Sequence, residues 1–274
     1  MKAISLHSIV PVRAEARESA EQNTQMLFGE TCTIEPSAET DPLSDRWRFV
    51  RLDSDGQKGW VDAKMVTPMS DKEYRAYTKA YKTAAIVAFP MAYAVSENNG
   101  QTIPLTAGTR LTNYRPSSVK GAGAARFEVL GVGFRIDGGL VITAPLELTE
   151  HVLLQTVRFF LNVPYLWGGK NAMGMDCSGF TQTVMSLFGK HLYRNASEQA
   201  KQGRAVSCLK KAQAGDLVFF DHKDGRISHV GIVVDSTRVI HCSGRVKVEK
   251  LDETGIFSAE TGDYTHHLVA IRRM

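Results

Sequence analysis

The sequence predicts a multi-domain protein in which two small all-β barrels precede an α+β domain. Three observations support this fold class. Short runs of alternating apolar and polar residues fill the N-terminal half, and turn-forming stretches such as DSDG and PSAETDP separate them. Helix-like stretches and a glycine-rich loop begin after Thr149. At 274 residues, the chain is long enough to bury more than one hydrophobic core.

Composition and charge argue against two classes of partner. The chain holds 33 Lys and Arg against 29 Asp and Glu, a formal net charge of +4, and 43% hydrophobic residues, which is ordinary for a globular protein. No basic run interleaved with aromatics is present, so we expect no nucleic-acid partner. No apolar run approaches the roughly 20 residues of a membrane span, so we expect no membrane partner.

The N-terminal residues bear on location. The stretch MKAISLHSIVPVRAEARESAE lacks the unbroken apolar core of about 7–15 residues that a secretory signal requires. We therefore expect a cytoplasmic protein. The sequence leaves the oligomeric state open.

The first barrel is predicted over residues 1–66. Its apolar residues recur at every second position, which is the pattern of half-buried strands. The runs that show it are SIVPVR, MLFGE, RWRFVR and GWVD. A helical connector is predicted over residues 67–84, because DKEYRAYTKAYKT lacks this alternation and places Tyr74, Tyr77 and Tyr81 on one helical face.

A second small barrel is predicted over residues 85–148. Apolar runs return there, separated by the turn-forming stretches NNG, PSSVKGAGA and DGG. After Thr149 the chain changes to the helix-like HVLLQTVRFFL, the loop WGGKNAMGMDCSG, another helix-like run and then strands. This change predicts an α+β domain over residues 149–274.

Cys177 is the candidate nucleophile of the α+β domain. Asp176 stands where an N-cap belongs, before the helix-like run CSGFTQTVMSLFG, so Cys177 should lie in the first helical turn. The unpaired N–H groups and the positive dipole end of a helix stabilise a thiolate, and we therefore expect a lowered pKa for this thiol. A buried structural cysteine is the competing interpretation.

Two histidines are candidates for a general base and its partner. The stretches GDLVFF, HVGIVV and VIHC predict three strands, and a DSTR turn joins the last two. His229 and His241 are twelve residues apart and should lie opposite one another across this hairpin, within one step of register. A base must contact the nucleophile and be held by a third polar group. Alternatively, both histidines are ordinary core or surface residues.

No metal site is expected from these residues. One Cys and two His are a ligand short of a closed zinc site, and no ligand-spaced pair is present. Cys32, Cys208 and Cys242 are too widely spaced to indicate a disulfide framework. Cys242 follows His241 directly, so its side chain should lie on the opposite face of the strand, away from the site. Three further histidines are expected at the surface: His222, His266 and His267.

Several motifs in residues 150–274 resemble one known family. YLWGG, MDCSGF, GDLVFF, ISHVGIVV and VIHCSG together resemble the NlpC-type papain-like cysteine peptidases, which cut bacterial cell-wall peptides. VPVRAEA, QMLFGE and GWVD are similar to the first bacterial SH3-like barrel of one subfamily, the γ-D-glutamyl-L-diamino acid endopeptidases, also called dipeptidyl-peptidase VI. The resemblance therefore implies two SH3-like barrels followed by a papain-like α+β domain.

The resemblance also implies a reaction. It is hydrolysis of the bond between γ-D-glutamate and a diamino acid, either meso-diaminopimelate or lysine, in muropeptides that begin with free L-alanine. By matching motif positions, Cys177 is the nucleophile, His229 the base and His241 the orienting residue. Tyr165, together with the backbone N–H of Cys177, would stabilise the oxyanion. No cofactor is needed, because thiolate, imidazole and oxyanion donors suffice for acyl transfer.

Substrate contacts follow from the same resemblance. Trp167 would form a wall of the groove, and Asp176 would cap the helix and bind a backbone amide of the substrate. Ser178 and Ser197 would donate hydrogen bonds to the α-carboxylate of D-glutamate. The first barrel would supply an acid and an aromatic that recognise the free amine. The candidates for these two positions are Glu21 and Trp60.

Other interpretations remain open at this stage. A lytic endopeptidase acting on intact peptidoglycan in the envelope would use the barrels as wall anchors. A binding module with a dead site fits poorly with the joint presence of nucleophile, base and orienting residue. A papain-like acyltransferase would not need two barrels. Tyr165, Trp167 and Trp60 could be core aromatics, and Glu21 a solvated acid.

Overall fold

The structure divides into two compact units. It is a computed structural model, and it describes residues 1–36, 46–117, 123–221 and 225–274. The units are Met1–Ala144 and Pro145–Met274. The turns predicted from PSAETDP and PSSVKGAGA fall partly outside the described residues.

A seven-stranded antiparallel sheet opens the first unit. Its strands are β1 (Lys2–Ile4), β2 (Ile9–Arg13), β3 (Gln22–Leu27), β4 (Thr31–Ile34), β5 (Trp47–Leu52), β6 (Lys58–Asp62) and β7 (Thr67–Met69). Their order in the sheet is β3-β2-β6-β5-β4-β1-β7. The predicted alternation is present, because Val10 and Val12 of β2 are fully buried whereas the residues between and beside them are partly exposed. The buried face of this sheet forms a hydrophobic core of its own.

One helix, α1 (Asp71–Tyr81), follows this sheet. It begins with a capping box in which the Ser70 hydroxyl accepts the N–H of Glu73 and the Glu73 carboxylate accepts the N–H of Ser70. Tyr77 is buried, and its hydroxyl donates to the carbonyl oxygen of Gly29 at 2.8 Å. Gly29 has φ +80°, a left-handed conformation that glycine adopts without steric cost. The predicted helix is therefore present, and it is anchored to the turn after β3.

Seven further strands form two small sheets in the rest of the first unit. They are β8 (Ala85–Val87), β9 (Met91–Ser96), β10 (Thr102–Thr106), β11 (Arg110–Leu111), β12 (Ala124–Val129), β13 (Val132–Asp137) and β14 (Val141–Ile142). The sheet orders are β10-β9-β13-β12 and β11-β8-β14. Phe127 and Phe134 stack at 5.0 Å, and Phe28 meets Phe134 edge-on at 5.6 Å. Because Phe28 follows β3, the two β regions share one hydrophobic cluster.

The second unit combines helices with a seven-stranded antiparallel sheet. The helices are α2 (Glu150–Val157), α3 (Cys177–Leu187) and α4 (Ala196–Gln199). The strands are β15 (Lys170–Asn171), β16 (Gly174–Met175), β17 (Arg204–Ala205), β18 (Leu217–Asp221), β19 (His229–Asp235), β20 (Arg238–Ser243), β21 (Arg245–Leu251), β22 (Gly255–Ser258) and β23 (Asp263–Arg273). The seven-stranded sheet is built from β17 to β23 in the order β17-β23-β18-β19-β20-β21-β22, and β22 also pairs with β23. Strands β18 to β23 therefore form a closed ring. In the parts of the chain that are described, no helix is both long and apolar enough to cross a membrane.

Helix α3 packs on strands β19 and β20 through the apolar stripe that its spacing predicts. Phe180, Val184 and Leu187 on this stripe are fully buried. Gly179, in the first turn, approaches the preceding loop so closely that an added Cβ would overlap the carbonyl oxygen of Gly169. The N-terminus of α3 is thus held between the glycine-rich loop and the sheet.

Candidate active site

Asp176 and helix α3 place the Cys177 thiol at a helix N-terminus. Asp176 is the N-cap, and its carboxylate accepts the N–H of Gly179 at 2.7 Å. The same carboxylate accepts the N–H of Gly168 at 2.9 Å, so the cap also holds the glycine-rich loop. Cys177 follows as the first helical residue and is 6% exposed. The N-cap and first-turn positions are those that the sequence predicts.

The pKa of Cys177 differs from the expectation. Burial and the negative charge of Asp176 raise the pKa of the thiol to about 12. Backbone N–H groups of Val230 and Ser178 lower this pKa, as a helix N-terminus should, but they do not outweigh burial. The predicted lowering is therefore wrong for the unliganded site. A thiol with a raised pKa must lose its proton as its sulfur attacks a carbonyl carbon, so the predicted role of Cys177 as nucleophile requires a base.

His229 and His241 meet on neighbouring strands β19 and β20. His241 lies opposite Gly231, which is two residues from His229 on the same strand. Nε2 of His229 is 2.8 Å from Nδ1 of His241, and both residues are buried. The N–H of Val230, next in sequence to His229, acts on the Cys177 thiol. The structure therefore brings the start of β19 to the nucleophile, while the assigned catalytic roles stay predictions.

Glu249 lies behind His241 and was not identified from the sequence. Its Oε2 is 2.9 Å from Nε2 of His241, and its Oε1 is 3.3 Å from Nζ of Lys247. Partial burial raises the pKa of Glu249, but hydrogen bonds from His241 and Ser258 outweigh it and bring that pKa to about 2. The alternating run RVKVEKL indicates a pair of charged residues, because it places Lys247 and Glu249 on one face of β21.

His266 is buried, and the prediction that it lies at the surface is therefore wrong. It is 7% exposed, and its ring centroid lies 4.2 Å from that of His229 at an interplanar angle of 32°. The physical reason is the closed ring of strands, in which β23 pairs with β18 beside β19. His267 is partly buried, and His222 lies outside the described residues.

A buried ion pair supports the N-terminus of α3. Arg194 is 1% exposed, with Nη2 at 2.5 Å from Oδ2 of Asp176 and Nη1 at 2.9 Å from Oδ1. This two-point contact is the geometry that guanidinium and carboxylate prefer. Nη1 also donates to the Ser178 hydroxyl at 2.9 Å. The local sequence does not reveal the role of Arg194, because its partner Asp176 lies 18 residues earlier in the chain.

The two serines predicted to bind the substrate carboxylate are placed differently. Ser178 is buried, and its hydroxyl donates to Oδ1 of Asp176 at 3.2 Å, so it must leave Asp176 to donate to a ligand. Ser197 is exposed on α4. Gln199 of the same helix is buried instead, and its Nε2 donates to the Ser178 carbonyl at 3.1 Å. The structure therefore does not bring Ser197 into this cluster.

Tyr165 and Trp167 flank the site on the loop before Cys177. Tyr165 is partly buried, and burial together with the nearby Cys177 and Asp176 raises the pKa of its hydroxyl. Its predicted role in stabilising an oxyanion stays a prediction. Trp167 is 59% exposed and is therefore a surface aromatic rather than a core residue.

The two candidates for amine recognition belong to the first unit. Glu21 is exposed, and its carbonyl oxygen accepts the N–H of Ala14 at 2.9 Å. Trp60 is 1% exposed, with its ring 5.3 Å from that of Phe49, and so has little free surface to offer a ligand. Their contacts with a substrate stay predictions.

Cys242 lies closer to the site than the sequence suggests. Its Sγ donates to the carbonyl oxygen of Met175 at 3.1 Å. Burial raises the pKa of Cys242, and the nearby Cys177 and Asp176 contribute to the same shift. The expectation that this thiol lies away from the site is therefore wrong, because the loop leading to Cys177 packs on this face of β20.

We expect the protein to lose stability as the pH falls below about 6.5. Burial lowers the pKa of His241 from 6.5, and the pKa of Glu249 is lowered to about 2. A group with a lowered pKa in the folded state binds protons more readily when unfolded, so its contribution is present above the unfolded pKa and lost below it. Urea midpoints should decline between about pH 7 and pH 2, and less steeply in the double variant His241→Gln/Glu249→Gln, which lacks both titrating groups. Equal declines in both proteins would contradict this account.

Comparison with known proteins finds one matching domain family in each half of the chain. The NlpC/P60 family matches residues 162–265, and the bacterial dipeptidyl-peptidase SH3 domain matches residues 12–65. A γ-D-glutamyl-L-lysine dipeptidyl-peptidase of Bacillus subtilis is 31% identical over 91% of this chain and 80% of its own length. The protein of the same name from Bacillus cereus is 27% identical over 80% of this chain and 66% of its own length.

A solved structure shows the same fold. The crystal structure of an NlpC/P60 family protein from Bacillus cereus has a TM-score of 0.80 at 20% identity and covers 100% of this chain and 99% of that one. The predicted fold class, an SH3-like N-terminal region followed by a papain-like α+β domain, is thereby confirmed. The sequence matches and the Cys177 site lead to one assignment: the chain belongs to the NlpC/P60 family of cysteine peptidases.

Proposed function

We propose that this peptidase hydrolyses the bond between γ-D-glutamate and a diamino acid in cell-wall peptides that begin with free L-alanine. The observation that supports the proposal best is the length of one sequence match. The γ-D-glutamyl-L-lysine dipeptidyl-peptidase of Bacillus subtilis matches 91% of the chain, and so matches beyond the catalytic domain. We place the activity in the cytoplasm, in the recycling of muropeptides released from the wall.

The reaction uses the residues around Cys177 in two stages. The Cys177 thiol passes its proton to His229 as the sulfur attacks the carbonyl carbon of the γ-glutamyl bond. The Cys177 N–H and the Tyr165 hydroxyl stabilise the oxyanion. The C–N bond then breaks, and His229 gives the proton to the leaving amine of the diamino acid. Water attacks the thioester carbon with His229 as base, the C–S bond breaks, and His229 returns the proton to the Cys177 sulfur as L-Ala-γ-D-Glu leaves.

The groups beside Cys177 suit a peptide with a negatively charged D-glutamate. The first-turn N–H groups of α3 and its positive dipole end favour an anion. Asp176 adds no net negative charge there, because Arg194 pairs with it through two contacts. The Ser178 hydroxyl is close to both and is the side-chain donor available to a carboxylate once it leaves Asp176.

The proposal predicts a strict requirement for the free amine. Purified protein is incubated with L-Ala-γ-D-Glu-meso-diaminopimelate, with the L-lysine peptide and with N-acetylated copies of both, and products are followed by mass spectrometry. Release of L-Ala-γ-D-Glu should be faster from the free peptides by about 100-fold or more, because a site built for a charged group rejects the analogue that lacks it. Cys177→Ala is the control for contaminating peptidases.

Each outcome has a distinct meaning. Equal cleavage of the free and acetylated peptides would contradict the recycling role and favour a lytic endopeptidase acting on intact peptidoglycan. No cleavage of any peptide would reject the substrate class. Cell fractionation with an antibody tests the location, and recovery with the envelope would contradict the cytoplasmic proposal.

A further inference from the structure

A continuous line of hydrogen-bonded side chains leads away from the nucleophile. Nε2 of His229 is 2.8 Å from Nδ1 of His241, and Nε2 of His241 is 2.9 Å from Oε2 of Glu249. The line crosses three adjacent strands, β19, β20 and β21. His241 is fully buried, so both of its ring nitrogens depend on these two partners.

Glu249, the last residue of this line, determines which nitrogen of each imidazole carries a proton. A carboxylate only accepts hydrogen bonds, so Glu249 requires a proton on Nε2 of His241. A neutral imidazole carries one proton, which leaves Nδ1 of His241 as an acceptor. Nδ1 then requires a proton on Nε2 of His229. The remaining nitrogen of His229, Nδ1, is thereby unprotonated and able to take the proton of a thiol.

We propose that Glu249 is a positioning residue that sets the tautomers of His241 and His229 and so keeps His229 in the form that accepts the Cys177 proton. It acts through His241 and does not contact the substrate. The inference rests on the cysteine peptidase activity and is independent of the substrate proposed above.

The surroundings of Glu249 hold its carboxylate in place as an acceptor. Its side chain is 8% exposed, Nζ of Lys247 lies 3.3 Å from Oε1, and the Ser258 hydroxyl donates to it. Ser258 is itself 2% exposed. A carboxylate fixed at three points keeps one oxygen directed at His241, as the buried aspartate does for the histidine of serine peptidases.

Glu249 also supplies the negative charge that a protonated His229 needs. When the thiol proton arrives, the two imidazoles share a positive charge in a buried position. Among the residues that the structure describes, the titratable or charged groups around His241 are His229 from β19, His266 from β23, and Lys247 and Glu249 from β21. Of these four, Glu249 alone is an anion. Its loss should therefore slow proton transfer rather than weaken substrate binding.

Three variants separate this role from a structural one. Glu249→Leu removes the acceptor, and Glu249→Gln keeps an acceptor oxygen but removes the charge. Glu260→Gln is the matched control, because Glu260 also pairs with Lys247 at 3.3 Å but its side chain is 52% exposed and does not contact His241 in the described network. Urea unfolding midpoints show whether each variant is folded.

We expect kcat of Glu249→Leu to fall by about 100-fold or more, which is the size of a general-base contribution, with KM changed less than about threefold. Glu249→Gln should lose less activity, and the acidic limb of its kcat profile should move to lower pH, because Glu249 raises the pKa of His241 in the native protein. Glu260→Gln should match the native protein in both respects. A folded Glu249→Leu variant with native kcat, or one altered only in KM, would overturn the proposal.

Two further measurements need no substrate. The rate of Cys177 alkylation by iodoacetamide, in a background with the other three cysteines replaced by Ala, should fall in Glu249→Leu and not in Glu260→Gln. Nitrogen NMR of ¹⁵N-histidine-labelled protein should show His241 protonated at Nε2 in the native chain and a shift toward Nδ1–H in Glu249→Leu. An unchanged tautomer would refute the assignment, whereas failure of the muropeptide assay alone would refute only the substrate.

Discussion

Replacing Cys177 with Ala is expected to lower kcat/KM by at least about 10⁴-fold while the protein stays folded. Without the sulfur, no thioester can form, and the remaining oxyanion donors and histidines provide only a small residual rate. The change removes a single atom from the first turn of α3, so the cap and the apolar stripe of the helix remain. Peptide hydrolysis is followed by mass spectrometry, and folding by the urea midpoint.

The control for this variant is Cys208→Ala, a free thiol outside the site that should retain native activity. A folded Cys177→Ala protein with more than a few per cent of native kcat/KM would exclude Cys177 as the nucleophile. The same loss of activity with an unfolded protein would be a structural effect, and a Cys177→Ser variant with a native midpoint would then decide between the two explanations.

Replacing Arg194 with Leu is expected to destabilise the protein by about 3–5 kcal/mol, the largest effect on stability that we predict. The reason is the buried carboxylate of Asp176, which would lose both contacts to the guanidinium. Asp176 also caps α3 and holds the glycine-rich loop through Gly168, so the site should loosen with it. Urea unfolding measures the free energy.

Two comparisons show whether the loss comes from an unpaired buried charge. Arg238→Leu breaks an ion pair with Asp235 whose side chains are 48% and 26% exposed, and it should cost less than about 1 kcal/mol. Asp176→Asn in the Arg194→Leu background should recover part of the lost stability, because the neutral amide can still accept the cap hydrogen bond. A double variant no more stable than Arg194→Leu would contradict the charge explanation.

Local sequence was sufficient to predict an element or a pair of residues wherever the contacts that define it are close along the chain. The position of Cys177 follows from Asp176 and the helical spacing after it, and both are local. His229 and His241 could be paired because a single short turn joins their strands. Helix α1 could be predicted from its tyrosine stripe for the same reason.

The residues missed at the site come from elements that reach it only through tertiary packing. Arg194 approaches Asp176 from the segment before α4, and His266 approaches His229 because β23 closes the ring of strands. Glu249 contacts His241 through the pairing of β20 with β21, whose register the sequence analysis did not address. A pattern within one element can place residues on one face, as RVKVEKL does for Lys247 and Glu249, but it does not show what that face contacts.

The sequence by itself therefore determined the fold class, the helical position of Cys177 and the pair of histidines across a hairpin, because periodicity, capping and turn chemistry act over a few residues. Only the tertiary structure decided the electrostatics of the site. Burial outweighs the helix N-terminus and raises the pKa of Cys177, Arg194 neutralises Asp176, and Glu249 sets the direction of the hydrogen bonds through His241. Burial, ion pairing and hydrogen bonding at this site depend on how separate elements pack together and exclude water. They are therefore properties of the packed protein rather than of any single segment.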